Sequence, residues 1–292
     1  MTIDPGTIPP HALRRVIETA LEEDAPWGDV TSETLIPADA TATATLAARE
    51  PGVLSGGTVF VAVMHAVDPS IRATVHADEG SAFTAGDTLA TVTGSARSVL
   101  RAERVALNLV QRMSGIATAT AAHVAAAAGT SARIVDTRKT TPGLRALERY
   151  AVRCGGGHNH RTSLSDAVLA KDNHLAVLLA GGIGIGDAIT AARQRLGHTV
   201  HVEVEVDRID QIEPVVAAGV DTIMLDNFTP AELETGVGIV AGRTLVEASG
   251  GVSLDTVAAI AATGVDVISV GALTHSARAL DLGLDIAVAA GD

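Results

Sequence analysis

The sequence predicts an α/β protein in which a mixed α+β domain precedes an α/β barrel, and three observations carry that expectation. After Arg133, short apolar runs alternate with helix-like intervals, a pattern that implies parallel strand pairing; so many units favour a barrel over a short doubly wound sheet. Before about Val92, the runs are instead Thr/Val/Ala-rich and separated by Gly, Pro and Asp, as strands and turns are. Finally, 47% of the 292 residues are hydrophobic but only 2% aromatic, so the core has to be built from Ala, Val, Leu and Ile. That length is enough to bury a sizeable core in one large or two ordinary domains.

Residues 12–23, ALRRVIETALEE, alternate apolar and charged positions at helical spacing, and the following DAPWGDVTSETLIP breaks that helix. From Ala40 to about Val92 come the runs TATATLAARE, VLSGGTVFVAV, IRATVHA and DTLATVTG, with a hairpin expected between Asp78 and Asp87. Residues 97–128 have strong helical propensity, with Gly115 as the expected break between two helices. Strands are expected at 133–136, 167–171, 200–206, 222–225, 245–248 and 267–270, and helices at 187–196, 208–218, 230–240 and 254–263. Thr229-Pro230-Ala231-Glu232 reads as a capping box with proline at the first helical position. Gly181-Gly182-Ile183-Gly184-Ile185-Gly186 lacks the glycine order of a dinucleotide fingerprint after a strand and reads as a loop. The first domain is placed at residues 1–112 and the second at 113–276.

The formal net charge of −13 excludes a sequence-independent grip on nucleic acid or an anionic membrane, since both need a broad cationic face. It leaves room for an anionic small molecule in a locally positive cleft. No apolar run reaches the roughly 18 residues of a membrane span. The N-terminus shows no apolar stretch after positive charge, so no secretory signal is expected. The one cysteine, Cys154, permits no intramolecular disulfide and suits a reducing cytoplasm. His158 and His160 lie near enough in sequence to make a catalytic thiol conceivable; a small buried residue is the simpler reading.

Against this acidic background, cations crowd between Arg133 and His174, in RIVDTRKTTPGLRALERYAVRCGGGHNHRTSLSDAVLAKDNH. Two apolar runs there, Ile134-Val135 and Ala167 to Ala170, pass at once into charge, which is how strands look when their C-terminal ends open into a site. The strand HVEVEV from His201 puts valines on one face and His201, Glu203 and Glu205 on the other. In a barrel those carboxylates point inward and need a metal, hydroxyls or a cation as partner; a solvated edge strand is the bland alternative. Other strand ends finish in Asp226-Asn227, in Glu247 leading to Ser249-Gly250-Gly251, and in Gly271. The last two loops follow the final strands, where barrel enzymes often bind phosphate through backbone N–H groups and a helix N-terminus. The expected site therefore has a cationic half (Arg138, Lys139, His160, Arg161, Lys171), an acidic half (Glu203, Glu205, Asp226) and a phosphate cradle.

With these residues in view, the chain resembles the quinolinate phosphoribosyltransferases. The motifs that carry the resemblance are GDVTS at 28–32, AERVALNLVQRMSGIATAT at 102–120, DTRKTTPGLRALERYAV at 136–152, GGGHNHR at 155–161, AKDNH at 170–174, EVEV at 203–206, MLDN at 224–227, EASGG at 247–251 and VGALTHS at 270–276. The resemblance implies an N-terminal α/β sandwich domain and an incomplete, TIM-like α/β barrel, with the tail 277–292 returning to the first domain. It also implies transfer of phosphoribosyl from 5-phosphoribosyl-1-diphosphate to quinolinate with decarboxylation, giving nicotinate mononucleotide, CO₂ and diphosphate. Arg138, His160, Arg161 and Lys171 would clamp the two carboxylates, with Arg104 reaching in from the other subunit of a homodimer that itself could assemble further. Lys139 would contact the donor, and Glu205 and Asp226 its ribose hydroxyls and Mg²⁺, with Glu203 nearby. Ser249, Gly250, Gly251 and Gly271 would take the 5-phosphate. Two positions depart from the family pattern: Ser163 where glycine is common and Arg149 where lysine is.

Three other readings stay open on the residues alone. A sibling phosphoribosyltransferase would use another aromatic acid, a Schiff-base aldolase would use Lys171 at its strand end, and an anion-binding assembly protein would use neither Glu205 nor Lys171 for chemistry.

Overall fold

The computed structural model describes residues 6–288. The chain forms two compact units: one takes the residues up to Ala121, Thr140–Gly156 and those from Leu273 on, the other Ala122–Lys139 and Gly157–Ala272. By compactness the segments 140–156 and 273 onward cluster with the first unit.

The first unit is built on a four-stranded antiparallel sheet. Its strands are β1 (Thr41–Ala48), β3 (Arg72–Val75), β5 (Thr88–Ser95) and β12 (Leu282–Val288), in the order β12-β1-β5-β3. In β1 the alternation is visible in the sequence: Ala42, Ala44 and Leu46 are buried, while the Thr43 hydroxyl faces outward and pairs with that of Thr93. β12 brings the C-terminal chain back against β1, with Leu46 opposite Leu284. Helices α1 (Pro10–Asp24), α2 (Val30–Leu35), α3 (Gly57–Val67), α4 (Ala96–Ala126) and α5 (Arg145–Cys154) complete the first unit, although the last turn of α4 belongs to the second.

Three sequence expectations fail in this unit. GTVFVAVMHAV is the helix α3, not a strand; an apolar run of this length fits either, and Val59, Phe60, Val63 and Met64 are buried at helical spacing. No hairpin forms at 78–87: the short β4 (Ala82–Phe83) pairs with β2 (Gly52–Val53), and Glu79 caps α3 by accepting the N–H groups of Gly56 and Thr58 at 2.8 and 3.1 Å. Gly115 does not break a helix either. α4 runs unbroken for 31 residues, and a Cβ at 115 would lie 1.9 Å from the Arg278 carbonyl oxygen, so glycine is there to admit the returning tail.

The second unit is a six-stranded parallel sheet. β6 (Arg133–Val135), β7 (Val168–Ala170), β8 (Val202–Val206), β9 (Thr222–Asp226), β10 (Leu245–Ser249) and β11 (Val267–Ser269) lie in the order β6-β11-β10-β9-β8-β7. β6 and β7 are the two ends of this order, so the barrel is incomplete. The helices α6 (Asp172–Ala180), α7 (Ile185–Arg195), α8 (Ile212–Ala217), α9 (Pro230–Val240) and α10 (Val257–Ala262) follow the strands as right-handed crossovers require. The Thr229–Glu232 capping box forms as read, and 181–184 is a turn ahead of α7. α5 and α6 were not legible, because their segments carry the charges and histidines that mark the site.

Candidate functional site

β8 is buried on both faces, which decides against a solvated edge. Val202, Val204 and Val206 lie on one face, and Glu203 and Glu205, 3% and 8% exposed, on the other. Each inward carboxylate faces a basic side chain. Glu205 is ion-paired with Lys171, which sits just past the end of the neighbouring strand β7, and Glu203 Oε2 lies 3.2 Å from His160 Nε2. The sheet register puts Glu205, Met224 and Glu247 in one row across β8, β9 and β10.

The strand ends open into a cavity of about 340 Å³. Arg138, Lys139, His160, Arg161 and Lys171 all line it, together with Asp226, Glu247 and Ser249, while Leu169 and Met224 supply an apolar wall. Burial and the charge of Arg138 pull the Arg161 guanidinium below its ordinary pKa. A cavity in which like charges disfavour one another is one that gains from a bound anion. A second cavity of about 360 Å³ is lined by Glu205 and Asp226 together with Arg208, Gln211 and Asn227.

The two glycine loops lie beside this mouth. Gly250 has φ +87°, and a Cβ there would meet Asn227 Oδ1 at 2.2 Å, so only glycine lets the loop after β10 pass the tip of β9. Ser249 accepts from the Asn227 N–H at 2.9 Å, and Asn227 in turn donates to Asp226 at 2.7 Å. α10 starts six residues after Gly251 and is short, so the helix N-terminus expected at that loop is not adjacent to it; backbone N–H groups of the loops are what it offers an anion. Gly271 follows β11, half-buried. Arg104 lies exposed on α4, in the first unit, and does not line the cation cavity.

Two further residues belong to the site: Asp136, and Glu247, which the sequence marks only as a polar strand end. Asp136, fully buried at the end of β6, accepts from the His160 backbone N–H at 2.8 Å and from Asn159 Nδ2 at 2.6 Å, and so fixes the His160 loop. Glu247, 3% exposed, lies 3.5 Å from His160 Nε2, opposite Glu203. The parity argument that found Glu203 and Glu205 on β8 applies equally to Leu245, Glu247 and Ser249 on β10.

The ligand atoms of His160, Glu203 and Glu247 lie within 4.8 Å of one another, a spacing that suits a metal. The hydrogen bonding decides otherwise. The Arg161 backbone N–H donates to His160 Nδ1 at 2.7 Å, which requires a lone pair there and leaves the ring hydrogen on Nε2, facing the acids. Burial opposes a charged ring, yet the two carboxylates outweigh it and hold the imidazole's pKa up to about 10. Burial likewise pushes the Glu203 carboxyl up to about 7, against its His160 contact and with the Glu247 charge. The two pulls compete for one proton, and because Nδ1 is occupied as an acceptor we assign that proton to the acid pair. Either way the cluster carries one net negative charge.

An incomplete parallel barrel whose strand ends gather five basic side chains against buried acids, beside glycine loops, defines an enzyme of the α/β-barrel class acting on an anionic small molecule. Family models described as the quinolinate phosphoribosyl transferase N-terminal and C-terminal domains match residues 29–114 and 116–285. The chain belongs to the quinolinate phosphoribosyltransferase family. It is 45% identical over 281 residues to the carboxylating nicotinate-nucleotide pyrophosphorylase of Mycobacterium leprae, covering 94% of this chain and 97% of that one. Among solved structures, NadC of Streptococcus pyogenes superposes with a TM-score of 0.92 at 39% identity, covering 98% of this chain and all of that one. The nicotinate-nucleotide pyrophosphorylase of Francisella tularensis gives 0.91 at 37% identity, over 98% and 100%.

Proposed function

We propose that this chain transfers the phosphoribosyl group of 5-phosphoribosyl-1-diphosphate to the ring nitrogen of quinolinate and decarboxylates the adduct, giving nicotinate mononucleotide, CO₂ and diphosphate. The observation that carries the reading is the one cavity whose wall gathers Arg138, Arg161 and Lys171, bounded by Leu169 and Met224. Two adjacent carboxylates satisfy those cations, and the flat ring that bears them suits the apolar wall.

The chemistry asks for little beyond placement and charge. The pyridine nitrogen bonds to the ribose C1 as the bond from C1 to the diphosphate oxygen breaks, and positive charge builds on the ribose. In this reading Glu205 and Asp226, at the ends of neighbouring strands, stabilise it, and Lys139 meets the donor. The C2 carboxylate of the quaternised ring then leaves as CO₂, its bonding electrons stay on carbon as an ylide beside the positive nitrogen, and a proton from solvent replaces it. Glu205 and Asp226 are hard oxygen donors bordering one cavity, a set that fits Mg²⁺ carried in with the donor. When bound, such an ion neutralises the diphosphate leaving group. The loops at Ser249-Gly250-Gly251 and Gly271 take the 5-phosphate in this reading.

Arg104, exposed on α4, is assigned to the site of a partner subunit in a homodimer. Cytoplasm is the proposed compartment; no single helix among the described residues is long and apolar enough to cross a membrane. The Schiff-base reading finds no support in Lys171, whose ammonium is engaged by Glu205 where an aldolase needs a desolvated free amine.

Mass spectrometry of the product tests the proposal. A nucleotide carrying one carboxylate from a substrate that had two is expected; recovery of unchanged quinolinate with intact donor would overturn it.

A further inference from the structure

The clamp reading gives His160 a direct contact with a substrate carboxylate, yet both of its ring nitrogens are already committed inside the protein. Nδ1 accepts the Arg161 backbone N–H at 2.7 Å, and Nε2 faces Glu203 Oε2 at 3.2 Å and Glu247 Oε1 at 3.5 Å. The ring is thus wedged between the acids of β8 and β10 on one side and the main chain of Arg161 on the other. Asp136 holds the loop from a third side through the His160 N–H. Arg161 continues the arrangement: its Nη1 donates to the Ala167 carbonyl at 2.9 Å, next to the start of β7.

Barrel interiors are normally filled by branched apolar side chains. Two acids and an imidazole in that place forfeit apolar packing and are desolvated, so their presence calls for a use. A resident metal is not that use, because Nε2 carries the hydrogen. We propose that His160, Glu203 and Glu247 form a buried support that positions Arg161, and that Glu247, although it lines the cavity, is a positioning residue for the carboxylate clamp. His160 then acts on the substrate through Arg161 and not by its own hydrogen bond. This inference rests on the quinolinate reading for its ligand, though not for its geometry.

The test is a calorimetric titration of quinolinate into the wild type and into His160→Ala, Glu247→Ala, Glu247→Gln, Arg161→Ala and the His160→Ala/Arg161→Ala double variant. Loss of an oriented, charge-assisted contact lowers affinity about tenfold or more, and that is the loss expected for His160→Ala and Glu247→Ala. Glu247→Gln keeps an acceptor at Nε2 and is expected to recover most of it. The double variant is expected to bind no more weakly than Arg161→Ala alone. Additive losses in the double variant would mean that His160 touches the substrate directly, and would overturn the proposal. Wild-type protein that binds no quinolinate would instead remove the functional reading. In that case the crystal structure of Glu247→Ala decides the support by itself: a displaced Arg161 sustains it, and an Arg161 in place overturns it.

Discussion

The Lys171 ammonium is ion-paired with the Glu205 carboxylate, tying the cation cluster at the end of β7 to the acids of β8. The pair joins residues assigned to different ligands, so removing either partner should have opposite consequences for quinolinate. Lys171→Ala deletes a charged donor, worth about 1.5–3 kcal/mol, and is expected to weaken quinolinate binding about 10- to 100-fold. Glu205→Ala frees Lys171 for the substrate carboxylate, so quinolinate binding should hold or tighten while turnover collapses. Calorimetry beside steady-state kinetics separates the two.

The division of the cavity makes a second prediction. Arg138→Ala or Arg161→Ala should weaken quinolinate binding more than donor binding, and Asp226→Ala should do the reverse. Equal effects of all three substitutions on both ligands, measured by titration, would count against the division.

Cys154 is fully buried in the first unit, and burial pushes its thiol up to about 12, so the reactive thiolate is scarce at neutral pH. Iodoacetamide at pH 8 should leave the native protein unlabelled and fully active, as intact mass and a parallel assay would report. Rapid labelling with loss of turnover would reopen the catalytic-thiol reading.

Gly115 offers a test of packing against propensity. Helix propensity alone says that Gly115→Ala stabilises α4 by about 1 kcal/mol. The 1.9 Å approach to the Arg278 carbonyl says that the tail must move, at a cost of about 1–3 kcal/mol for overpacking. A lowered Tm is therefore expected.

Much of the second unit could be read from the residues because parallel strands and their helices leave separate signals. All six strands, the capping box at Thr229 and the inward carboxylates of β8 follow from apolar runs, turn residues and side-chain parity. What could not be read is set by distant contacts. That Gly115 admits a tail residue more than 160 positions on, or that Glu79 caps α3 instead of turning a hairpin, has no local signature. Glu247 was legible only as a polar strand end: parity sets it on one face of β10 with Leu245 and Ser249, but a single inward acid gives no sign of its partner. Only the convergence of β8, β10 and the His160 loop shows what it faces.

The most direct measurement is diphosphate and CO₂ release from purified protein given 5-phosphoribosyl-1-diphosphate and Mg²⁺, with quinolinate in one reaction and nicotinate in the other. Release of both products in equal amounts with quinolinate, and of neither with nicotinate, is the predicted result. Diphosphate release from nicotinate without CO₂ would contradict it, leaving the fold in place and moving the enzyme to a sibling substrate.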